Sequence, residues 1–279
     1  MKTIRILAAL TAMAAALSLA SCSGNTKINL VSREEGSGTR GAFVELLGVE
    51  DGSGNDATAA SAEITNSTAV MLSTVAGNKN AIGYVSLGSL SSDVKAISVD
   101  GVAPTVANIK SGAYKVARPF NVVYKEGSLS VQAKDFLNFI MSAEGQKILT
   151  GAGCIAQENA PAYTASGVSG KITLSGSTSV SPAMEKLAEA YKKLNAGVEI
   201  DIQQTGSGAG ITAATDGIVD LGMSSRDLKS EEAEKLTSLT IATDGIAVIV
   251  HPDNPLTNLS SDQIRSVFLG ETTDWSELR

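Results

Sequence analysis

The sequence predicts an α/β fold, because short apolar strand patterns alternate with apolar residues at helical spacing along most of the chain. Several strand patterns are followed directly by a turn rich in glycine and serine, and then by a helical pattern. Hydrophobic residues make up 43% of the 279 residues and charged residues 18%, so the chain can bury a core. Ligands of α/β sheets bind at turns between strands and helices, which makes these turns the first candidates for a site.

The first half of the chain shows both patterns clearly. Strands are expected at 27–32, 81–85, 94–99 and 120–124, and helices at 40–47, at 104–109, at 131–149 and from the cap at 66–68 to about residue 76. Gly48 suits the end of the first helix, and the pattern at 131–149 suits one helix or two with a break near Gly145. Residues 155–170 have few bulky apolar residues and no clear periodicity, so they are expected to form a linker.

The second half repeats the alternation. Strands are expected at 172–174, 198–202, 219–223 and 246–250, and helices after 181, 210, 230 and 260. Pro182 suits the first helical position, where a backbone N–H has no partner within the helix. Ser260 and Gln263 fit a capping box, in which their side chains satisfy N–H groups at the start of a helix.

The N-terminus has the pattern of an export signal. Lys2 and Arg5 precede the apolar residues 6–19, a stretch too short to span a membrane comfortably. It ends in Leu-Ala-Ser-Cys, which looks like a lipobox with Cys22 as the lipidated residue. We therefore expect 1–21 to be a lipoprotein signal peptide. The mature protein is then lipid-anchored to the outer face of the cytoplasmic membrane or lies in the periplasm. An ordinary secretory signal with a chance cysteine is the alternative.

Charge and motifs argue against several classes of function. The net charge is −7 without a basic run, which argues against binding to nucleic acid. One histidine, His251, and the lack of CxxC and HExxH spacings predict no metal site, and we expect no cofactor. Cys154 is alone once Cys22 is lipidated, so no intrachain disulfide is expected. No general base is visible for a serine nucleophile, so we do not expect an enzyme.

The turn at 33–39, Arg-Glu-Glu-Gly-Ser-Gly-Thr, has the composition of an anion site. Gly36 and Gly38 let successive backbone N–H groups point at one spot. Ser37 and Thr39 add hydroxyls, and the following helix adds its positive end. Arg33 offers a planar fork of donors that suits a tetrahedral oxyanion. Taken alone, such a turn is more often a helix start beside a surface arginine.

Turns of the same character recur in the second half of the chain, at Ser177-Thr178-Ser179, Gly206-Ser207-Gly208 and Ser224-Ser225. Each of them alone is more often a capped helix start. Several such turns in one α/β chain predict that their hydroxyl and N–H donors converge on one anion.

Longer stretches around these turns resemble the substrate-binding proteins of bacterial ABC phosphate importers. The similar stretches are Arg33–Arg40, Ala81–Val85, Gly176–Pro182, Gly206–Ile211 and Asp220–Arg226. The resemblance implies a two-lobed type II periplasmic-binding-protein fold that closes on inorganic phosphate. It also implies a monomer that delivers phosphate to the permease of an importer. By position, the implied phosphate ligands are Arg33, Ser37, Gly38 and Thr39 from one lobe, and Thr178, Ser179, Ser207 and Ser225 from the other.

Two positions depart from the family pattern. Many members have an aspartate where Ser225 stands, and that carboxylate accepts the proton of hydrogen phosphate and rejects fully ionised sulfate. Gly208 stands where a second serine is common, which leaves Ser207 as the expected hydroxyl ligand. A receptor for another tetrahedral oxyanion, such as sulfate or molybdate, therefore stays open as an alternative, as does a surface lipoprotein without a role in transport.

The order of the motifs is also reversed relative to the family, since residues 27–165 resemble its second half and 171–279 its first half. We therefore expect a circularly permuted order, joined through the linker at 155–170. One lobe then combines 27–117 with 253–279 and carries Arg33. The other is 118–252, and the chain crosses between them near Arg118 and near His251. The alternative is a truncated tandem pair of receptors.

Overall fold

In the computed structural model, which describes residues 26–278, ten strands form one mixed β-sheet. The strands are β1 (Asn29–Arg33), β2 (Glu63–Thr65), β3 (Ala81–Ser86), β4 (Lys95–Ala96), β5 (Ser98–Val99), β6 (Ala117–Tyr124), β7 (Ile155–Ala156), β8 (Gly170–Gly176), β9 (Val198–Gln204), β10 (Leu221–Ser224), β11 (Thr237–Val250) and β12 (Asn258–Leu259). Their order in the sheet is β2-β1-β3-β11-β6-β10-β8-β9, with β4 and β7 also paired to β11, while β5 and β12 pair separately.

Helices cover the sheet. They are α1 (Gly38–Leu47), α2 (Thr68–Ala76), α3 (Val106–Lys110), α4 (Val131–Ile140), α5 (Ala143–Gly151), α6 (Ser181–Leu194), α7 (Ser207–Thr215), α8 (Ser230–Ala233) and α9 (Ser261–Leu269). The alternation of strands and helices confirms the predicted α/β class. Within residues 26–278, no helix combines the length and apolar character that crossing a membrane requires.

Several predicted elements differ in the structure. The strand expected at 94–99 is two short strands, β4 and β5, which pair with different partners. The helical pattern at 131–149 breaks at Met141-Ser142 rather than at Gly145, because Ser142 caps α5 by accepting the N–H of Gly145. The strand expected at 246–250 is the end of the much longer β11, whose first residues are polar and pair with β6. The helix expected after Ser230 is the single turn α8.

Strand β11 connects the two halves of the sheet. Its residues 237–245 run antiparallel to β6, and its residues 246–250 run antiparallel to β3. Strands β10, β8 and β9 lie beyond β6 on one side, and β1 and β2 lie beyond β3 on the other. The chain halves on either side of the predicted linker therefore contribute strands to the same sheet.

The buried side chains form two large clusters, one for each half of the sheet. One consists of residues between Phe120 and Ala242. The other combines residues between Leu30 and Val116 with residues between Ile246 and Leu278. The chain passes from one cluster to the other at 116–120, close to Arg118, and again at 242–246, which is earlier than His251. The division into lobes at 118 and 252 itself stays a prediction.

The segment predicted as a linker carries one short strand, β7, and no other regular structure from 157 to 169. It is packed against the protein through Tyr163, whose ring lies 5.1 Å from that of Phe139 and whose hydroxyl donates to Asp135. The predicted signal peptide at 1–21 and the lipidation site Cys22 lie outside the described residues.

Candidate functional site

The site begins where β1 ends, at Arg33. Its side chain is almost fully buried, and its Nε and Nη2 donate to the two carboxylate oxygens of Glu34 at 2.7 and 2.8 Å. The Arg33 backbone N–H donates to the Tyr84 hydroxyl at 3.2 Å, and that hydroxyl is also hydrogen-bonded to Ser32. Burial raises the pKa of Tyr84, so this phenol stays neutral. Hydrogen bonds from its backbone N–H and from its guanidinium therefore hold Arg33 in one orientation.

Helix α1 starts directly after this arginine turn. Ser37 is its N-cap, and its hydroxyl accepts the backbone N–H of Arg40 at 3.3 Å. Gly38 and Thr39 are the first helical residues and are buried. The positive end of the α1 dipole consequently lies beside Arg33.

The second half of the chain supplies the facing turn, between β8 and α6. Gly176 ends β8 with a φ of 141°, and a Cβ there would lie 2.2 Å from the carbonyl oxygen of Met223 on β10. Only glycine fits this close approach of two backbones. The turn that follows buries Thr178 and Ser179.

Hydroxyls and backbone groups from turns that are 140 or more residues apart in the sequence meet directly. Arg33 Nη2 donates to Thr178 Oγ1 at 3.0 Å, and the hydroxyls of Thr39 and Ser179 are 2.9 Å apart. The backbone N–H of Gly208 at the start of α7 donates to the Gly36 carbonyl at 2.9 Å. These contacts join the Arg33 side of the sheet to the other side.

Ser207 and Ser225 complete this arrangement from α7 and from the end of β10. Their hydroxyls are 3.3 Å apart, and the backbone N–H of Ser225 donates to Ser207 Oγ at 3.1 Å. A Cβ on Gly38 would lie 2.4 Å from Ser207 Oγ and 2.7 Å from Ser225 Oγ. The structure thus brings all eight residues that the sequence singled out into one place.

Sequence reasoning missed one polar residue here. The sequence places Thr68, the first residue of α2, only in a helix cap, yet its hydroxyl lies 3.3 Å from Arg33 Nη1 and 3.1 Å from Thr178 Oγ1. A cap sequence such as Asn-Ser-Thr is common at helix starts, so it carries no local signal for a site.

A buried ion pair lies behind the site, where β6 and β11 run side by side. Arg118 donates through Nη2 to Asp244 at 3.2 Å and through Nη1 to the carbonyl of Ser225 at 3.1 Å. Asp244 also accepts the hydroxyl of Ser86, at the end of β3. Burial lowers the pKa of Arg118 and raises that of Asp244, while their mutual attraction opposes both shifts. The pair links the crossing strands to the Ser225 turn.

Comparisons with known proteins identify the family of the chain. The PBP superfamily domain matches residues 14–144 and 161–279. A Streptococcus agalactiae protein named phosphate-binding protein PstS 2 is 50% identical over 271 residues, which cover 93% of this chain and 92% of that protein. The chain belongs to the PstS family of the PBP superfamily. Its two-lobed α/β fold is that of this superfamily, as expected from the sequence.

Other PstS relatives point the same way. PstS 2 of Streptococcus pneumoniae is 47% identical over 261 residues, covering 92% of this chain and 89% of that protein. The crystal structure of a phosphate-binding protein of a phosphate ABC transporter from S. pneumoniae matches with a TM-score of 0.73 and 47% identity. It covers 91% of this chain and all of that chain. The two PstS 2 relatives are named as phosphate-binding proteins, and the protein in the crystal structure is named as the phosphate-binding protein of a phosphate ABC transporter.

Proposed function

We propose that this protein captures inorganic phosphate between its two lobes and delivers it to the permease of an ABC importer, without catalysing a reaction. The observation that carries the proposal is the meeting of one buried guanidinium, Arg33, with hydroxyls from turns far apart in the sequence. The choice of phosphate as the ligand rests on the relationship of this chain to a protein named phosphate-binding protein PstS 2. The eight converging residues are the proposed ligands.

The chemistry of these residues suits an oxyanion. Arg33 brings a positive charge, and the hydroxyls of Thr39, Thr178 and Ser179 can each donate a hydrogen bond to an anion oxygen. Helices α1 and α7 begin at the same place, so their N-terminal N–H groups favour negative charge there. No single group needs to carry the full charge of the anion, because many donors share it.

A second candidate, a receptor for sulfate or molybdate, rests on Ser225. Its hydroxyl lies beside Ser207 where many family members have an aspartate, so the site lacks that carboxylate as an acceptor for the proton of hydrogen phosphate. Equilibrium dialysis with radiolabelled phosphate decides between the two. We expect a 100-fold excess of sulfate or molybdate to displace little phosphate. Displacement by sulfate at equal concentration would support the second candidate.

We further propose that residues 27–117 with 246–278 form one lobe and 118–245 the other, with β6 and β11 as the connection on which they open. The two core clusters support this division, since each has its own buried side chains. Residues 246–250 pack with the Arg33 lobe, so the second crossing lies in β11 near Gly245. Closing the lobes brings Arg33 and Thr178 together.

We also propose that the order of the chain is circularly permuted rather than a truncated tandem. Two observations support the permutation. Strands from both halves build one sheet, and residues 26–28 lie beside residues 273–275. The N–H of Ile28 donates to the carbonyl of Thr273, and that of Trp275 to the carbonyl of Thr26. Because a single chain supplies both sides of the site, the proposed working form is a monomer.

Export and a lipid anchor at Cys22 remain proposals that rest on the N-terminal sequence pattern. Metabolic labelling with a radioactive fatty acid tests them. The intact protein should take up label and fractionate with membranes, and the Cys22→Ser variant should do neither. Equal labelling of both proteins would contradict the anchor while leaving phosphate binding untouched.

A further inference from the structure

Thr68 lies within the site although the sequence marks it only as part of a helix cap. It is the first residue of the nine-residue helix α2, whose N-cap is Ser67, and its side chain is buried. Helix α2 packs against β1, the strand that ends at Arg33. Thr68 therefore approaches the site from the Arg33 side.

Thr68 contacts proposed ligands from both halves of the chain. Its hydroxyl oxygen lies 3.3 Å from Arg33 Nη1, 3.1 Å from Thr178 Oγ1 and 3.2 Å from Ser179 Oγ. Its backbone N–H donates to Thr178 Oγ1 at 3.3 Å. The Thr68 side chain therefore hydrogen-bonds to three of the proposed ligand residues at once.

The direction of these hydrogen bonds follows from counting donors and acceptors. A hydroxyl has one proton and accepts two hydrogen bonds. Thr178 Oγ1 already accepts from Arg33 Nη2 and from the N–H of Thr68, so it must donate its own proton to Thr68. Thr68 Oγ1 then accepts from Arg33 Nη1 and from Thr178, so its proton is donated to Ser179. Arg33 thus polarises a chain of hydroxyls in one direction.

We propose that Thr68 is a further oxyanion-binding residue of this site, which turns its hydroxyl proton and its backbone N–H to an anion oxygen held between Arg33, Thr178 and Ser179. The inference rests on the proposed function, since it deepens the same site. The protons of Thr178 and Thr68 are donated to neighbouring hydroxyls, and an anion oxygen takes the place of these neutral acceptors when it binds. Thr68 accepts the hydrogen bond from Thr178 and donates its own to Ser179.

Two substitutions of Thr68 separate its hydroxyl from its shape. Thr68→Val keeps the branched side chain and the backbone N–H but removes the hydroxyl, whereas Thr68→Ser keeps the hydroxyl. We expect the phosphate Kd, measured by calorimetric titration of the full-length protein, to rise about tenfold or more in Thr68→Val, since buried groups lose a partner. Thr68→Ser should stay within about threefold of the unsubstituted protein.

A matched control uses Thr105, which caps the distant helix α3 by accepting the N–H of Asn108. Thr105→Val removes the same atoms at an exposed helix start and should leave the phosphate Kd unchanged. Equal phosphate affinity in Thr68→Val and the unsubstituted protein would overturn the role of Thr68 but leave the proposed function intact. If the unsubstituted protein bound no phosphate, the proposed function itself would fail.

A measurement on the unsubstituted protein covers the case in which Thr68→Val does not fold. The backbone amide of Thr68 should shift strongly downfield in the ¹H–¹⁵N NMR spectrum when inorganic phosphate is added, because its N–H exchanges a neutral hydroxyl acceptor for an anion. The amide of Asn108, in the first turn of α3, should not move. An unchanged Thr68 amide at saturating phosphate contradicts the inference.

Discussion

Gly38 lies where the two sides of the site approach each other closely. A methyl group there would lie 2.4 Å from Ser207 Oγ and 2.9 Å from Ser207 Cβ, which belong to the facing half of the sheet. Neither atom can move far, because Ser207 starts α7 and its hydroxyl accepts the N–H of Ser225. A side chain at position 38 therefore keeps the two turns apart.

Gly38→Ala should weaken phosphate binding by at least about tenfold, because the added carbon prevents full closure and misplaces the donors that closure aligns. Calorimetric titration measures the Kd. Gly41→Ala is the matched control on the same helix, where the new carbon meets only Arg226 Cδ, at 3.5 Å. That control should bind normally and gain roughly 0.5–1 kcal/mol of stability. Normal binding by Gly38→Ala would contradict the closed geometry.

The reactivity of the Cys154 thiol reports on the packing around this residue, because burial raises the pKa of the thiol to about 12. In a Cys22→Ser background, iodoacetamide at pH 9 should label the native protein slowly and the urea-unfolded chain rapidly, because only the thiolate reacts. The unfolded chain loses this proton near pH 9 and the folded protein only near 12, so stability should fall as pH rises between them. Rapid labelling of the native protein would show that the thiol is accessible.

At the scale of elements, β6 and β11 carry the connection between the two core clusters and hold a charged pair inside it. Arg118 and Asp244 are register partners in these antiparallel strands, and both side chains are almost fully buried. Burying two charges is costly, so the pair contributes little by itself, but removing one partner leaves the other charge uncompensated.

Asp244→Asn should therefore lower the free energy of unfolding by about 3–5 kcal/mol, as measured by urea denaturation. The pair formed by Lys79 and Asp253 is a suitable comparison because both side chains are mostly exposed, at 73% and 62%. Asp253→Asn should change stability little, since water already screens that pair. Equal effects of the two substitutions would mean that the buried pair is not a structural link.

Local sequence patterns predicted most elements and the turns of the site, because strand and helix periodicities and glycine-rich turns are short-range signals. They did not predict the length of β11, whose polar start at Thr237–Thr240 shows no apolar run, since it pairs with β6 while partly exposed. They also missed Thr68, whose partners Thr178 and Ser179 are 110 and 111 residues away. Such contacts depend on how the strands are ordered in the sheet, which a local pattern does not contain.

For the whole molecule, the proposed circular permutation makes a prediction about chain connectivity. Joining residue 278 to residue 26 by a short glycine-serine linker and opening the chain between Ser166 and Gly167 restores the order that we expect for the family. Residues 26–28 already hydrogen-bond to 273–275, and residues 164–167 are mostly exposed. The rearranged protein should keep its circular dichroism spectrum and bind phosphate within about threefold of the original.

The control for that rearrangement opens the chain between Leu187 and Ala188, inside α6, with the same join. Both residues are buried in the core, so this protein should not fold. If the variant opened at 166–167 also failed to fold, the linker would be essential to the structure and the permutation would lose its main support.

Calorimetric titration with phosphate tests most directly whether both halves of the chain build one phosphate site. We expect one phosphate bound per chain, and loss of binding both in Arg33→Met and in a Thr178→Val, Ser179→Ala variant. Each of these changes removes donors from only one side of the site. No binding by the folded protein, or binding that survives both sets of substitutions, would contradict the account.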